Sequence, residues 1–120
     1  LQRNAKFKAE VLYKGLTKNT TITLSNSIKN FDVIEIFYYD NDQVHSTIRF
    51  RRDAALIKMV SLHSVGDALI CKYTQYRSNG DKQLTFEHSF QRTTNGDVTK
   101  NSVFHNIYLI VGYKYDIKII

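Results

Sequence analysis

The chain has 120 residues, about the size of one ordinary domain, and its apolar share of 42% is that of a globular protein. No stretch approaches the ~20 apolar residues of a membrane-spanning helix, so no membrane partner is expected. A single cysteine, Cys71, leaves no internal disulfide or thiolate metal cluster, and the net charge of +6 tilts the chain toward an anionic partner.

Cys71 reads as a small buried hydrophobe in a strand. The basic residues are scattered; the densest group is Arg49, Arg51 and Arg52. Scattered lysines of this kind usually make a solvated surface. The start carries no charged-then-apolar leader, so synthesis in the cytoplasm without a signal peptide is expected. Leu1 in place of an initiating Met suggests a processed or excised fragment.

Period-two alternation, the mark of strands with one buried face, recurs along the chain. In the first segment Phe7, Ala9, Val11 and Tyr13 fall on one side, with Lys6, Lys8 and Glu10 on the other. Gly15 opens a turn rich in Thr and Asn. Thr20 to Leu24 buries Ile22 and Leu24, and Ser25 to Asn30 is a polar loop. Val33 to Tyr39 is an apolar run broken only by Glu35, so it belongs in the middle of a sheet. Asp40, Asn41 and Asp42 close it as an ordinary turn. Val44, Ser46, Ile48 and Phe50 then alternate with His45, Thr47, Arg49 and Arg51, a hairpin partner with a basic stripe facing outward.

Asp53 to Val65 is ambiguous: Ala55, Leu56, Met59, Val60 and His63 fit a short helix, but Leu56, Val60 and Leu62 also fit a strand, and the stretch is taken as irregular or a strand. From Asp67 to Tyr76, Leu69, Cys71 and Tyr73 oppose Lys72, Thr74 and Tyr76, the latter set outward. Ser78 to Asp81 is a tight turn, since Asn and Gly tolerate positive φ. Leu84, Phe86 and Phe90 run inward, with Thr85, Glu87 and Ser89 outward, and a second turn forms around Asn95-Gly96. The last run places Ile107, Leu109, Val111, Tyr113, Tyr115, Ile117 and Ile119 on one side. Gly112 faces the other way and marks a bulge or a close contact. About eight strands with polar turns between them predict one all-β domain over residues 1–120. Its form is an antiparallel two-layer β-sandwich, jelly-roll-like.

Catalytic patterns are missing from the sequence. His45, His63, His88 and His105 lack metal-ligand spacing. The isolated glycines build neither a nucleophile elbow nor a phosphate loop. No enzyme, metal or cofactor is expected. Contact chemistry is a better prospect: tyrosine rings stack on sugar C–H faces, and the arginine fork matches carboxylate or phosphate oxygens. That places a ligand site at outward-facing Tyr76 and Arg77 and at the Arg49/Arg51 stripe. The same residues would serve a nucleic-acid-binding sheet, but its sequence signature is absent and nucleic acid is not expected.

Two segments carry a family likeness. TITLSNSIKNFDVIEIFYYDND (Thr21 to Asp42), after a first strand ending Val11-Leu12-Tyr13-Lys14-Gly15, resembles a segment of tail-fibre, baseplate and receptor-binding proteins of phages that infect Gram-positive bacteria. NIYLIVGYK (Asn106 to Lys114) is similar to the strand that closes those domains, although this chain runs six residues past Lys114. The resemblance implies a non-catalytic tail module in the virion. Such a module is commonly a homotrimer, sits among other phage tail proteins, and binds host cell-wall polysaccharide or builds the adsorption apparatus. A free-standing carbohydrate-binding module is the alternative.

Overall fold

In the computed structural model, which describes residues 3–15, 19–40, 43–50, 56–100 and 102–119, the alternation becomes nine strands. They are β1 (Arg3–Lys14), β2 (Thr21–Thr23), β3 (Val33–Asp40), β4 (Gln43–Phe50), β5 (Leu56–Val65), β6 (Ala68–Ser78), β7 (Gln83–Thr93), β8 (Val98–Lys100) and β9 (Asn106–Ile119). Two antiparallel sheets form, one ordered β1-β9-β3-β4 and the other β2-β7-β6-β5, with β8 beside β7. Between them pack Leu12, Ile22, Leu24, Ile28, Phe31, Ile34, Ile36, Tyr38, Ile57, Met59, Tyr76, Leu84, Ile107 and Ile110. The expected all-β sandwich is what the chain builds.

β3 lies between β9 and β4, as its two-sided apolar sequence required. The ambiguous stretch before Val65 is a strand from Leu56 onward. Tight turns form where expected, with Gly80 and Gly96 at φ of 75° and 91°.

Which side of each strand faces inward differs from the sequence reading in several places. Val11, Val44, Ile48, Leu62 and Leu69 are exposed, and Tyr76 is only 1% exposed. Three breaks in register explain part of this. The β1/β9 ladder passes from Val11–Val111 to Tyr13–Ile110, so Leu12 is an extra residue and turns into the core. The β3/β9 ladder passes from Phe37–Leu109 to Tyr38–Ile107, skipping Tyr108. The β6/β7 ladder passes from Gln75–His88 to Tyr76–Phe86, skipping Glu87, and Ser89 beyond it is buried instead of outward. Each bulge inserts one residue and inverts the phase of everything after it. In β4 the cause is pairing instead: His45 and Thr47 stand opposite buried Tyr38 and Ile36, so Val44 and Ile48 take the other face.

The loop between β2 and β3 contains one 3-10 turn, Ile28–Asn30, capped by the Ser27 side chain, which accepts from the Lys29 backbone N–H, while the Ile28 N–H donates to the Asp81 carbonyl. It delivers Phe31 onto Gly112 of β9. A Cβ at Gly112 would lie 2.6 Å from the Phe31 ring, so the expected close contact is real. Gly112→Ala should destabilise the protein by about 1–3 kcal/mol, because the added methyl would overlap the ring and force the ring or the strand to shift. Urea unfolding of the two proteins measures it, and an unchanged midpoint would refute the contact's tightness.

Candidate functional site

Two polar constellations stand out, one inside the sandwich and one on its outer surface. The interior one begins at Asp40, which the sequence presents as an ordinary turn residue but which is buried. Its carboxylate accepts from Lys72 Nζ at 2.8 Å and from Ser61 Oγ at 3.0 Å, with His63 Nδ1 at 3.7 Å. Ser61 Oγ also meets His105 Nε2 at 2.8 Å, and His105 Nδ1 meets Thr74 Oγ1 at 2.7 Å. Tyr38 sets its ring edge-on to His105, 5.2 Å away.

Burial pushes the Asp40 carboxyl upward, but Lys72 and Ser61 together outweigh it and hold the group below the usual carboxylate range. An ionised carboxylate only accepts, so the Ser61 proton points at Asp40 and Ser61 Oγ accepts from His105 Nε2–H. Nucleophile activation needs the opposite polarity, with the imidazole taking the serine proton. Ser61 and His105 are, moreover, 3% and 0% exposed. The network satisfies buried polar groups and ties β3, β5, β6 and the segment before β9 together.

The outer constellation lies on the five-stranded sheet. Tyr73 stacks on Phe90 across the β6/β7 ladder, with ring centroids 5.2 Å apart and planes at 19°. His88 continues the row at 5.8 Å. The Tyr73 hydroxyl donates to Gln75 Oε1, and Gln75 Nε2 donates to Glu87 Oε1 at 2.7 Å. Arg77 closes the chain: its Nε donates to Glu87 Oε2 and its Nη2 to Glu87 Oε1 at 3.2 Å. Because the ladder skips Glu87, its side chain is free to lie across the sheet toward Arg77. The Arg77 hydrogen bond holds the Glu87 carboxyl below its ordinary value. Beside the pair is a hollow of about 200 Å³ lined by Arg77, Ser78, Asn79, Thr85, Phe86 and Glu87.

No protein-family model, curated protein or solved structure matches this chain. The chemistry of the surface therefore carries the argument. Aromatic faces beside an ionised Arg–Glu fork and amide and hydroxyl groups form a shallow amphipathic platform. It can stack a flat apolar ligand face and exchange hydrogen bonds with hydroxyls at its edge.

Of the residues expected at a ligand site, Arg77 is here and exposed. Tyr76 is not available. It is a core residue whose hydroxyl donates to the Asn19 carbonyl, and burial pushes its phenol up to about 12. Residues two apart share a face, so once Tyr76 turns in, Tyr73 and Arg77 take the outer side with Gln75, which is itself covered at 6% exposed and hydrogen-bonded to Tyr73 and Glu87. Arg49 stands opposite Ile34 in the β3/β4 ladder. Its side chain and all of Arg51 lie outside the described residues. Tyr73, Phe90 and Glu87 were missed, although the period-two relation of Tyr73 to Arg77 through Gln75 was available.

A second hollow of about 450 Å³ lies at β1 between Lys8, Glu10, Asn26, Asn30 and Lys114, above Phe31. Its amides are tied together, Asn26 donating to Glu10 at 3.1 Å and accepting from Asn30 at 2.8 Å.

The interior network makes a pH prediction. A carboxyl held below its unfolded value stabilises the fold above the ordinary carboxylate range, and that stability is lost as pH falls through the depressed value. Asp40→Asn should cost about 2–3 kcal/mol at pH 7, as for one partner of a largely buried pair. At pH 2–3 the gap between variant and parent should shrink. Urea unfolding at both pH values measures it; an equal gap at both would exclude Asp40 as the titrating group.

Proposed function

We propose that this chain is a non-catalytic adhesion module that binds carbohydrate with the outer face of its five-stranded sheet. The observation that carries the reading is the continuous row Phe90–Tyr73–His88 running into Gln75, Glu87 and Arg77. Sugars present one C–H face and a rim of hydroxyls, and this row offers rings followed by paired donors and acceptors. The Arg77–Glu87 fork is preorganised, which lowers the cost of ordering side chains on binding. A net charge of +6 suits anionic wall polymers. The likeness of Thr21 to Asp42 and Asn106 to Lys114 to phage tail and receptor-binding modules supplies the setting: a virion tail device among other tail proteins. Weak single sites would act there through many linked copies.

The test is a glycan array at low and high salt, followed by calorimetry on the best ligand. Tyr73→Ala and Arg77→Ala should each weaken binding by roughly tenfold, about 1–1.5 kcal/mol, without changing the fold. Retained binding in both variants, or a clear preference for single-stranded nucleic acid over every glycan, would reject the reading.

A further inference from the structure

The five-stranded sheet carries an uneven charge. Its strands contain five Lys or Arg residues (Lys58, Lys72, Arg77, Arg92 and Lys100) and a single acid, Glu87. Two of the five cations are already committed. Lys72 turns inward to Asp40 at 2.8 Å, and Arg77 holds Glu87. Lys58, Arg92 and Lys100 are exposed and, among the described residues, have no ion-pair partner.

Two of these cations bracket the ring row. Phe90 lies on the outer face, where Tyr73 stacks on it. Lys100 stands directly opposite Phe90 in the β7/β8 ladder, and Arg92 is two residues along the same strand. Both therefore rise from the side of the sheet that bears Phe90. Directly opposite residues have Cβ atoms about 5 Å apart, and same-face neighbours along a strand or across the diagonal lie about 7 Å apart. Side chains as long as lysine and arginine can then converge on one group above the ring.

Arg77 is unsuited to that part. Its Nε and Nη2 already donate to the Glu87 carboxylate, so the fork meets a ligand as a neutral pair. The platform thus has two unlike ends, a neutral one at Arg77–Glu87 and a cationic one at Arg92 and Lys100. The Cys71 rung, opposite Arg92, is about 20 Å from the Arg77 rung at ~3.4 Å per residue. That length suits an oligosaccharide and not a single sugar.

We infer that the carbohydrate taken by this platform is acidic, and that Arg92 and Lys100 bind its carboxylate or phosphate beside Phe90. The uncharged hydroxyls of the same ligand then lie toward Gln75, Glu87 and Arg77. Acidity and direction along the sheet are thereby added to the carbohydrate reading, on which they rest. Arginine offers an oxyanion two parallel N–H donors, and lysine adds a point charge. At Arg92 and Lys100 an incoming anion has no described carboxylate to displace, whereas at Arg77 it must compete with Glu87.

Calorimetry with two matched pairs of probes tests this. One pair is oligogalacturonate and its methyl ester; the other is a phosphorylated mannan oligosaccharide and its dephosphorylated form. The first reports a carboxylate and the second a phosphate, with the sugar rings unchanged. In at least one pair the acidic member should bind about tenfold more tightly than its neutral counterpart at low salt, and the margin should shrink as salt rises. Arg92→Gln with Lys100→Gln should remove most of that margin. Lys8→Gln with Lys14→Gln, which takes the same charge from the other sheet, should keep it. If both members of each pair bind equally, the inference is overturned and the carbohydrate reading stands without it. A margin lost as fully in the Lys8/Lys14 variant shows that net charge and not a site selects the ligand. A margin lost in Arg77→Ala but kept in the Arg92/Lys100 variant moves the anion to the fork and also overturns the inference. An oligothymidylate bound more tightly than either acidic oligosaccharide, or no binding to any glycan, removes the carbohydrate reading and the inference together.

Discussion

A strand keeps one face against the core only while its two-residue phase is unbroken, and the architecture here depends on where that phase is reset. Three resets occur: an extra residue at Leu12 in β1, at Tyr108 in β9 and at Glu87 in β7. Each turns the following residues over, so an interior of Leu12, Ile36, Tyr76 and Ile110 is assembled from strands whose plain alternation would bury a different set. The same resets generate surface features. Tyr108 is delivered onto Phe37 and Tyr39, and Glu87 across to Arg77.

The interior is not uniformly apolar. At Asp40 a buried acid is matched by a lysine, two hydroxyls and two histidines. A charge removed from water is tolerable only when its partners are in place, so this cluster allows one alignment of the two sheets and penalises sliding between them. The direction of its hydrogen bonds follows from a single fact, that an ionised carboxylate cannot donate. The serine and histidine are thereby committed to each other and to Asp40.

The two outer faces divide sharply in chemistry. One is an aromatic row ending in an Arg–Glu fork. The other, among the described side chains, is mostly apolar, with Val11, Val44 and Ile48 exposed.

Fold class, the central place of β3, the Asn-Gly turns and the close approach at Gly112 were legible in the residues, because each depends on local chemistry: apolar runs, turn propensity and the missing Cβ. Arg77, read as a surface residue, is exposed. The inward face of β4 and β6, the burial of Tyr76 and the role of Asp40 were not. In β6 both alternate sets contain apolar residues, so composition does not choose between them, and in β4 composition points the wrong way, since the apolar Val44 and Ile48 face out while His45 and Thr47 stand opposite buried Tyr38 and Ile36. Cross-strand pairing and the bulges choose, and these depend on which strand lies alongside. Asp40 reads as a turn former until Lys72 and Ser61, far along the chain, are brought to it by the packing of one sheet on the other.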